Sequence, residues 1–173
     1  MMNGYVLVGG WPGSGKTTLA RALASELQLP YLSKDEVKEA LMDGLGAPST
    51  VDQSRKLGTA AVHAVLRVAR GCPGAVIDST FFPYSLPLVH ALPGPFVEVR
   101  CRVDVEVARE RYQRRNRDER HLDRLRTDDE LWWQSVRPLG VGPLLEVDTE
   151  QPVDVAALAA DIRDGLRRSA QVS

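Results

Sequence analysis

The 173-residue chain is 43% hydrophobic and 26% charged, with a net charge of −1, the profile of one ordinary globular domain that can bury a core. The neutral balance gives no general attraction to nucleic acid or an acidic membrane, and no apolar run approaches the roughly 18 residues of a membrane span. Cys72 and Cys101 stand far apart, which excludes a CxxC zinc or redox site and fits reduced thiols; Met1–Gly4 lacks the basic start of a signal peptide, so the expected compartment is the cytoplasm.

Tyr5–Val8 is a short continuous apolar run, as in a strand buried on both faces of a parallel sheet. A glycine-rich turn follows, then a helix over Thr17–Gln28 with Leu19, Leu23 and Leu27 at helical spacing, ended by Pro30. Tyr31-Leu32 reads as a brief second strand. Ser33 and Glu36 form a capping-box pair that should open a helix running to about Asp43. After the loop Gly44–Thr50, Val51–Arg70 is helical, with Leu57, Ala61, Val65 and Val68 expected on the buried face. Ala75–Asp78 is a buried strand ending in a carboxylate, and Pro83–Leu92 a short helix. Phe96–Val103 alternates as a strand, and Asp104 is placed to cap a helix over Val105–Asn116. Arg117–Thr127 is polar and charge-dense. Leu144–Val147 is a last strand and Val153–Arg168 a last amphipathic helix. Strands alternating with helices predict an α/β fold, with five parallel strands and helices on both faces.

Gly10-Trp11-Pro12-Gly13-Ser14-Gly15-Lys16-Thr17 satisfies the P-loop pattern G-x-x-x-x-G-K-[ST]. A chance match in a chain of this length has a probability on the order of 1% or less from average residue usage, and this one lies between a strand and a helix, as the motif requires. Gly10, Gly13 and Gly15 let main-chain N–H groups, including that of Ser14, curl around phosphate oxygens. Lys16 brings a point charge to the β- and γ-phosphates. The Thr17 hydroxyl is a Mg²⁺ ligand, Thr18 beside it is a further nucleotide-contact candidate, and the helix starting here points its positive end at the anion. Asp78 ends an apolar strand as the acid that holds the Mg²⁺ shell; alternatively it caps the next turn. Ser79 and Thr80 follow it in place of the water-activating Glu of ATP-hydrolysing motors, and no N-K-x-D guanine-reading motif occurs. Both features point to a phosphotransferase.

The succession of P-loop, Asp35 segment, Asp78, Arg111/Arg115 helix and Asp148-Thr149 resembles small P-loop kinases of the AAA_33 and zeta-toxin-like group. Adenylate, gluconate and shikimate kinases have this succession, and the chain is also similar to the kinase domain of phage-type polynucleotide kinases and to chloramphenicol phosphotransferase. The resemblance spans nearly the whole chain and implies a P-loop NTPase fold of strand order 2-3-1-4-5. It further implies ATP and Mg²⁺ as cofactors, an acceptor-binding helical segment at about 35–70 and an Arg-rich lid at about 116–127. Residues 109–126 hold eight arginines. On this likeness Arg111 and Arg115, four apart on one helical face, lie against adenine and the phosphates, with Arg114, one residue away, as an alternative, unless they are a solvated face paired to Glu110 or Asp118. Asp35 takes the place of the substrate-facing acid, although an acid in a first helical turn is favoured by the dipole alone. Thr149 lies in the loop under adenine, or in a plain turn. Lys38 stands where polynucleotide kinases carry a phosphate-contacting arginine and lacks the bidentate fork. The expected activity is therefore ATP-dependent transfer to a hydroxyl of a small molecule. A polynucleotide kinase (nucleic acid being possible but not favoured) and a toxin-like nucleotide-binding regulator are the alternatives. His63, Trp11 and Trp132-Trp133 are given no role.

Overall fold

The structure is a computed structural model that describes residues 3–114, 119–122 and 136–171; Arg115, most of the expected lid and Trp132-Trp133 lie outside them. Five strands, β1 (Gly4–Gly9), β2 (Tyr31–Ser33), β3 (Gly74–Asp78), β4 (Phe96–Arg102) and β5 (Leu144–Asp148), form one parallel sheet in the order β2-β3-β1-β4-β5. Among the described residues the α-helices are α1 (Lys16–Leu27), α2 (Lys34–Leu45), α3 (Val51–Ala69), α4 (Leu86–His90), α5 (Val105–Arg114) and α6 (Val155–Ala170). Both the α/β class and the strand order are as expected.

The apolar run of β1 serves both faces because alternate residues point opposite ways. Val6 and Val8, with Val97 and Val99 of β4, pack under Leu19 and Leu23 of α1 and Ile162 and Leu166 of α6. Tyr5 and Leu7, with Ile77 of β3, pack under Val62, Val65 and Leu66 of α3 and Val89 of α4. Burial of each large aliphatic side chain here contributes about 1.5–3 kcal/mol. The register pairs Val8 and Ser33 with Asp78, and Gly9 with Arg100. The carboxyl ends of four strands therefore open on one level, where ligand crevices of such sheets form.

Helix starts follow their caps. The Ser33 hydroxyl accepts from Glu36 N (3.3 Å), the Asp104 carboxylate from Glu106 N (2.8 Å) and the Asp154 carboxylate from Ala157 N (3.0 Å). Asp154 as cap is the reason α6 begins at Val155 and not at Val153. One expected face is rotated. On α3 the buried residues are Ser54, Gly58, Ala61, Val62, Val65, Leu66 and Ala69, while Val68 is 58% exposed. Small residues at 58, 61 and 69 let the helix lie close to its neighbours, and that steric fit outweighs the hydropathy of Val68.

Candidate active site

The loop from Gly10 to Gly15 joins β1 to α1 and folds on its own main chain, with Ser14 N donating to Trp11 O (3.1 Å). Gly10, Gly13 and Gly15 have φ of 145°, 76° and 80°, a region that disfavours any Cβ. At Gly13 steric room is absent as well, since a Cβ there would stand 2.3 Å from the carbonyl oxygen of Ala108 on α5. The loop thus lies on the backbone of α5. Gly15 is the N-cap of α1 and supplies no side-chain bond, so the first-turn amides keep their donor capacity for an anion. Lys16 Nζ lies 3.4 Å from Trp11 O, over the same loop, and Thr17 and Thr18 are exposed at the start of α1.

Below the loop, the Thr17 hydroxyl donates to Asp78 Oδ2 (2.7 Å) and the Tyr31 phenol donates to the same oxygen (3.0 Å). Asp78 is 4% exposed. Burial, with the Asp78 charge adding to it, pushes the Tyr31 phenol up to about 12, so it remains a protonated donor. Tyr31 is in turn covered by the Arg21 guanidinium, 5.4 Å from the ring centre. Sequence reasoning missed Tyr31. The available signal was a tyrosine in the strand whose register sets Ser33 beside Asp78, because a buried phenol needs an acceptor. Hydroxyl and carboxylate oxygens brought together here form a hard-oxygen donor pair of the kind that suits Mg²⁺. Beside them burial pushes the Cys101 thiol up to about 12, so it stays protonated.

At the other end of the loop, Thr149 Oγ1 lies 2.7 Å from Ser14 O and 3.0 Å from Arg102 O, so the β5–α6 turn is tied to the P-loop. Arg111 Nη1 donates to Thr149 O (3.2 Å). Arg111, Thr149 and Ser14 therefore come together as one edge of the site, whereas Arg114 faces solvent in an ion pair with Glu110 (3.5 Å). The Ser14 hydroxyl is buried with no partner among the described residues. Arg115 is outside them.

Asp35 lies in the first turn of α2, two residues beyond the Ser33–Asp78 register pair, and meets Lys34 Nζ at 3.0 Å. Lys38 does not face a ligand. It is 1% exposed, with Nζ 2.7 Å from Ser54 Oγ on α3, and Ser54 in turn contacts His121 O (3.3 Å). His121, also 1% exposed, meets Glu39 Oε1 through Nε2 (2.8 Å), and Arg120 pairs with Asp43 (2.7 Å). The short turn Glu119–His121, inside the expected lid, is thus fixed to α2 and α3. Its anchors are polar, which is why the lack of apolar residues there did not announce them. His63 is exposed. Among the described residues, no helix is long and apolar enough to cross a membrane.

A strand–P-loop–helix unit with an acid at the end of the neighbouring strand, on a sheet ordered 2-3-1-4-5, defines a P-loop nucleotide-binding fold of the kinase type. The chain belongs to the AAA_33 family, described as an AAA domain, whose model matches residues 6–134. It is similar to a candidate kinase from Chloroflexus aurantiacus, at 31% identity and a TM-score of 0.83, with 96% of this chain and 100% of that one covered. A gluconokinase from Sinorhizobium meliloti is alike in fold at 21% identity and TM-score 0.62, covering 98% of this chain and 94% of that one. An adenosine phosphosulfate (APS) kinase from Mycobacterium tuberculosis, solved with AMPPNP and APS, is alike at 18% and 0.59, covering 95% and 98%. No curated protein matches the sequence.

Proposed function

We propose that the chain, acting as a single kinase domain, transfers the γ-phosphate of ATP to a hydroxyl group of a small molecule. The observation that carries this reading is the meeting of Thr17 and Asp78 at 2.7 Å beneath an uncapped helix start. In this reading the amides of Gly10, Gly13, Ser14 and Gly15 cradle the phosphates with Lys16, Thr17 and Thr18. Arg111 and Thr149 border the adenosine, and Arg115 reaches the triphosphate. Thr17 and Asp78 would hold Mg²⁺, which when bound neutralises charge on the β- and γ-phosphates. Asp35 would orient the acceptor hydroxyl. As the bond from the γ-phosphorus to ADP breaks and the bond to the acceptor oxygen forms, the hydroxyl proton passes to the Asp35 carboxylate. The gluconokinase and APS kinase that share the fold act on small acceptors by name, which favours the same class here. Nucleic acid is disfavoured by the burial of Lys38, the residue placed to meet its phosphate.

The test is ADP release and product mass with purified protein, ATP, Mg²⁺ and a panel of hydroxyl compounds that includes a 5′-hydroxyl oligonucleotide. Slow hydrolysis alone and acceleration with a phosphorylated small-molecule product are expected. Acceleration by the oligonucleotide alone would convert the reading to a polynucleotide kinase, and ATP cleavage indifferent to every compound would sink it.

A further inference from the structure

Two adjoining hollows, one of about 160 Å³ and a narrow one of about 20 Å³, open at the carboxyl end of β4 and share Gly10, Arg100 and Val136. The P-loop forms one wall through Gly10 and Trp11, so whatever enters lies next to the phosphate-binding loop. Three guanidinium-bearing residues line this space: Arg100 and Arg102 from β4, and Arg137 from the segment that follows the expected lid. Arg102 is committed to Glu146 (3.3 Å). Arg100 and Arg137 have no ion pair among the described residues, and the one hydrogen bond shown for Arg100 is a long 3.4 Å contact to Val136 O. Tethering Val136 does not explain that arginine. Glu98, two residues earlier on the same face of β4, already fastens the segment by accepting from Leu139 N (2.6 Å) and Val141 N (2.8 Å). Those bonds also occupy the one carboxylate that lines either hollow. Two guanidinium groups lining one hollow, neither ion-paired with its single carboxylate, leave hydrogen-bonding capacity for an anion, and a guanidinium presents a planar fork matched to carboxylate and phosphoryl oxygens.

We propose that this hollow holds an oxyanion group carried by the phosphate acceptor, with Arg100 and Arg137 as its ligands, so that the acceptor is a hydroxylated carboxylate or phosphate ester and not a neutral alcohol. The inference rests on the kinase reading above and narrows its substrate class.

The experiment offers the full chain, with ATP and Mg²⁺, acceptors in matched pairs: hydroxy acids and sugar phosphates against the corresponding uncharged polyols and sugars. The charged member is expected to have the higher kcat/KM. That preference should fall by roughly tenfold or more in Arg100→Gln and in Arg137→Gln, since charge-assisted hydrogen bonds are worth this much. Arg137 is exposed, so its variant remains informative if the Arg100 variant fails to fold. Equal use of neutral partners, or a preference that survives both substitutions, overturns the proposal while leaving the kinase reading intact. If no compound is phosphorylated, the kinase reading fails and binding alone decides. The ADP-loaded chain is then titrated with glycerate, glycerol phosphate and glycerol while the arginine Nε resonances are followed. Shifts of Arg100 and Arg137 with the two anions only support the oxyanion site, with the better anion naming the group, and no shift, or an equal shift with glycerol, overturns it.

Discussion

The P-loop wall of the crevice is assembled from main chain, whereas the α2–α3 wall is assembled from side chains. On the first, three glycines at positive φ, the α5 backbone under Gly13 and the Thr149 contact to Ser14 O fix a surface of N–H donors. On the second, Lys38, Ser54 and His121 meet in the interior and Asp43 holds Arg120. A main-chain surface has few ways to vary, because its chemistry is the same in any sequence that can adopt it. A side-chain surface can be re-specified one residue at a time. The division suits a fold in which the phosphate donor is fixed and the acceptor differs from protein to protein.

The largest expected effect tests the side-chain wall directly. Asp35→Asn should lower kcat by about 10²–10⁴-fold, the usual range for a positioned acid–base group, with ATP affinity nearly unchanged. A role confined to the helix dipole predicts near-normal kcat and a stability loss below about 1 kcal/mol, so kcat and Tm on one variant separate the two. The main-chain wall breaks at Gly13→Ala. A Cβ costs about 1–2 kcal/mol in the left-handed region, before its clash with the Ala108 carbonyl is added. A fall of at least that size in chemical denaturation, accompanied by weaker ATP binding, is expected; a variant that binds and unfolds like the parent would show that the loop does not rest on α5. Next comes Ser54→Ala, which removes the hydroxyl facing a buried ammonium and should cost about 1–3 kcal/mol while sparing ATP affinity. A neutral result in urea unfolding would mean that Lys38 is satisfied without Ser54. The smallest effect belongs to Val68→Ser, expected within about 0.5 kcal/mol because the side chain points outward. A loss of core-residue size would restore the face that hydropathy suggests for α3.

The same division governs what could be read before folding. Eight consecutive residues, Gly10–Thr17, spell out the P-loop because its requirements are local: glycine where φ is positive, a cation, and a hydroxyl at the helix start. The strands were legible for a related reason, since burial on both faces leaves continuous apolar runs such as Tyr5–Val8. Tyr31, Arg100 and the Lys38–Ser54–His121 cluster were not legible. Tyr31 and Ser54 take their meaning from partners 47 and 67 residues away, Arg100 from a hollow that only the folded chain forms, and a lysine on one helix and a serine on the next give no sign that both are buried. Hydropathy misplaced Val68 because the buried face of α3 is selected by small residues that permit close approach.

Glu98 has a consequence for how this chain could diversify. By clasping Leu139 and Val141 it re-establishes the path of the backbone just before β5, and α5 is fixed upstream by its contact with the P-loop. The stretch between is therefore held by the scaffold at both ends, and again midway where His121 and Arg120 meet Ser54, Glu39 and Asp43. Closing a loop costs only about 0.6 kcal/mol more for each doubling of its length, so inserts on either side of that midway anchor, leaving it in place, would cost the fold little. A single buried carboxylate of β4 thus fixes where the chain rejoins the sheet after that segment.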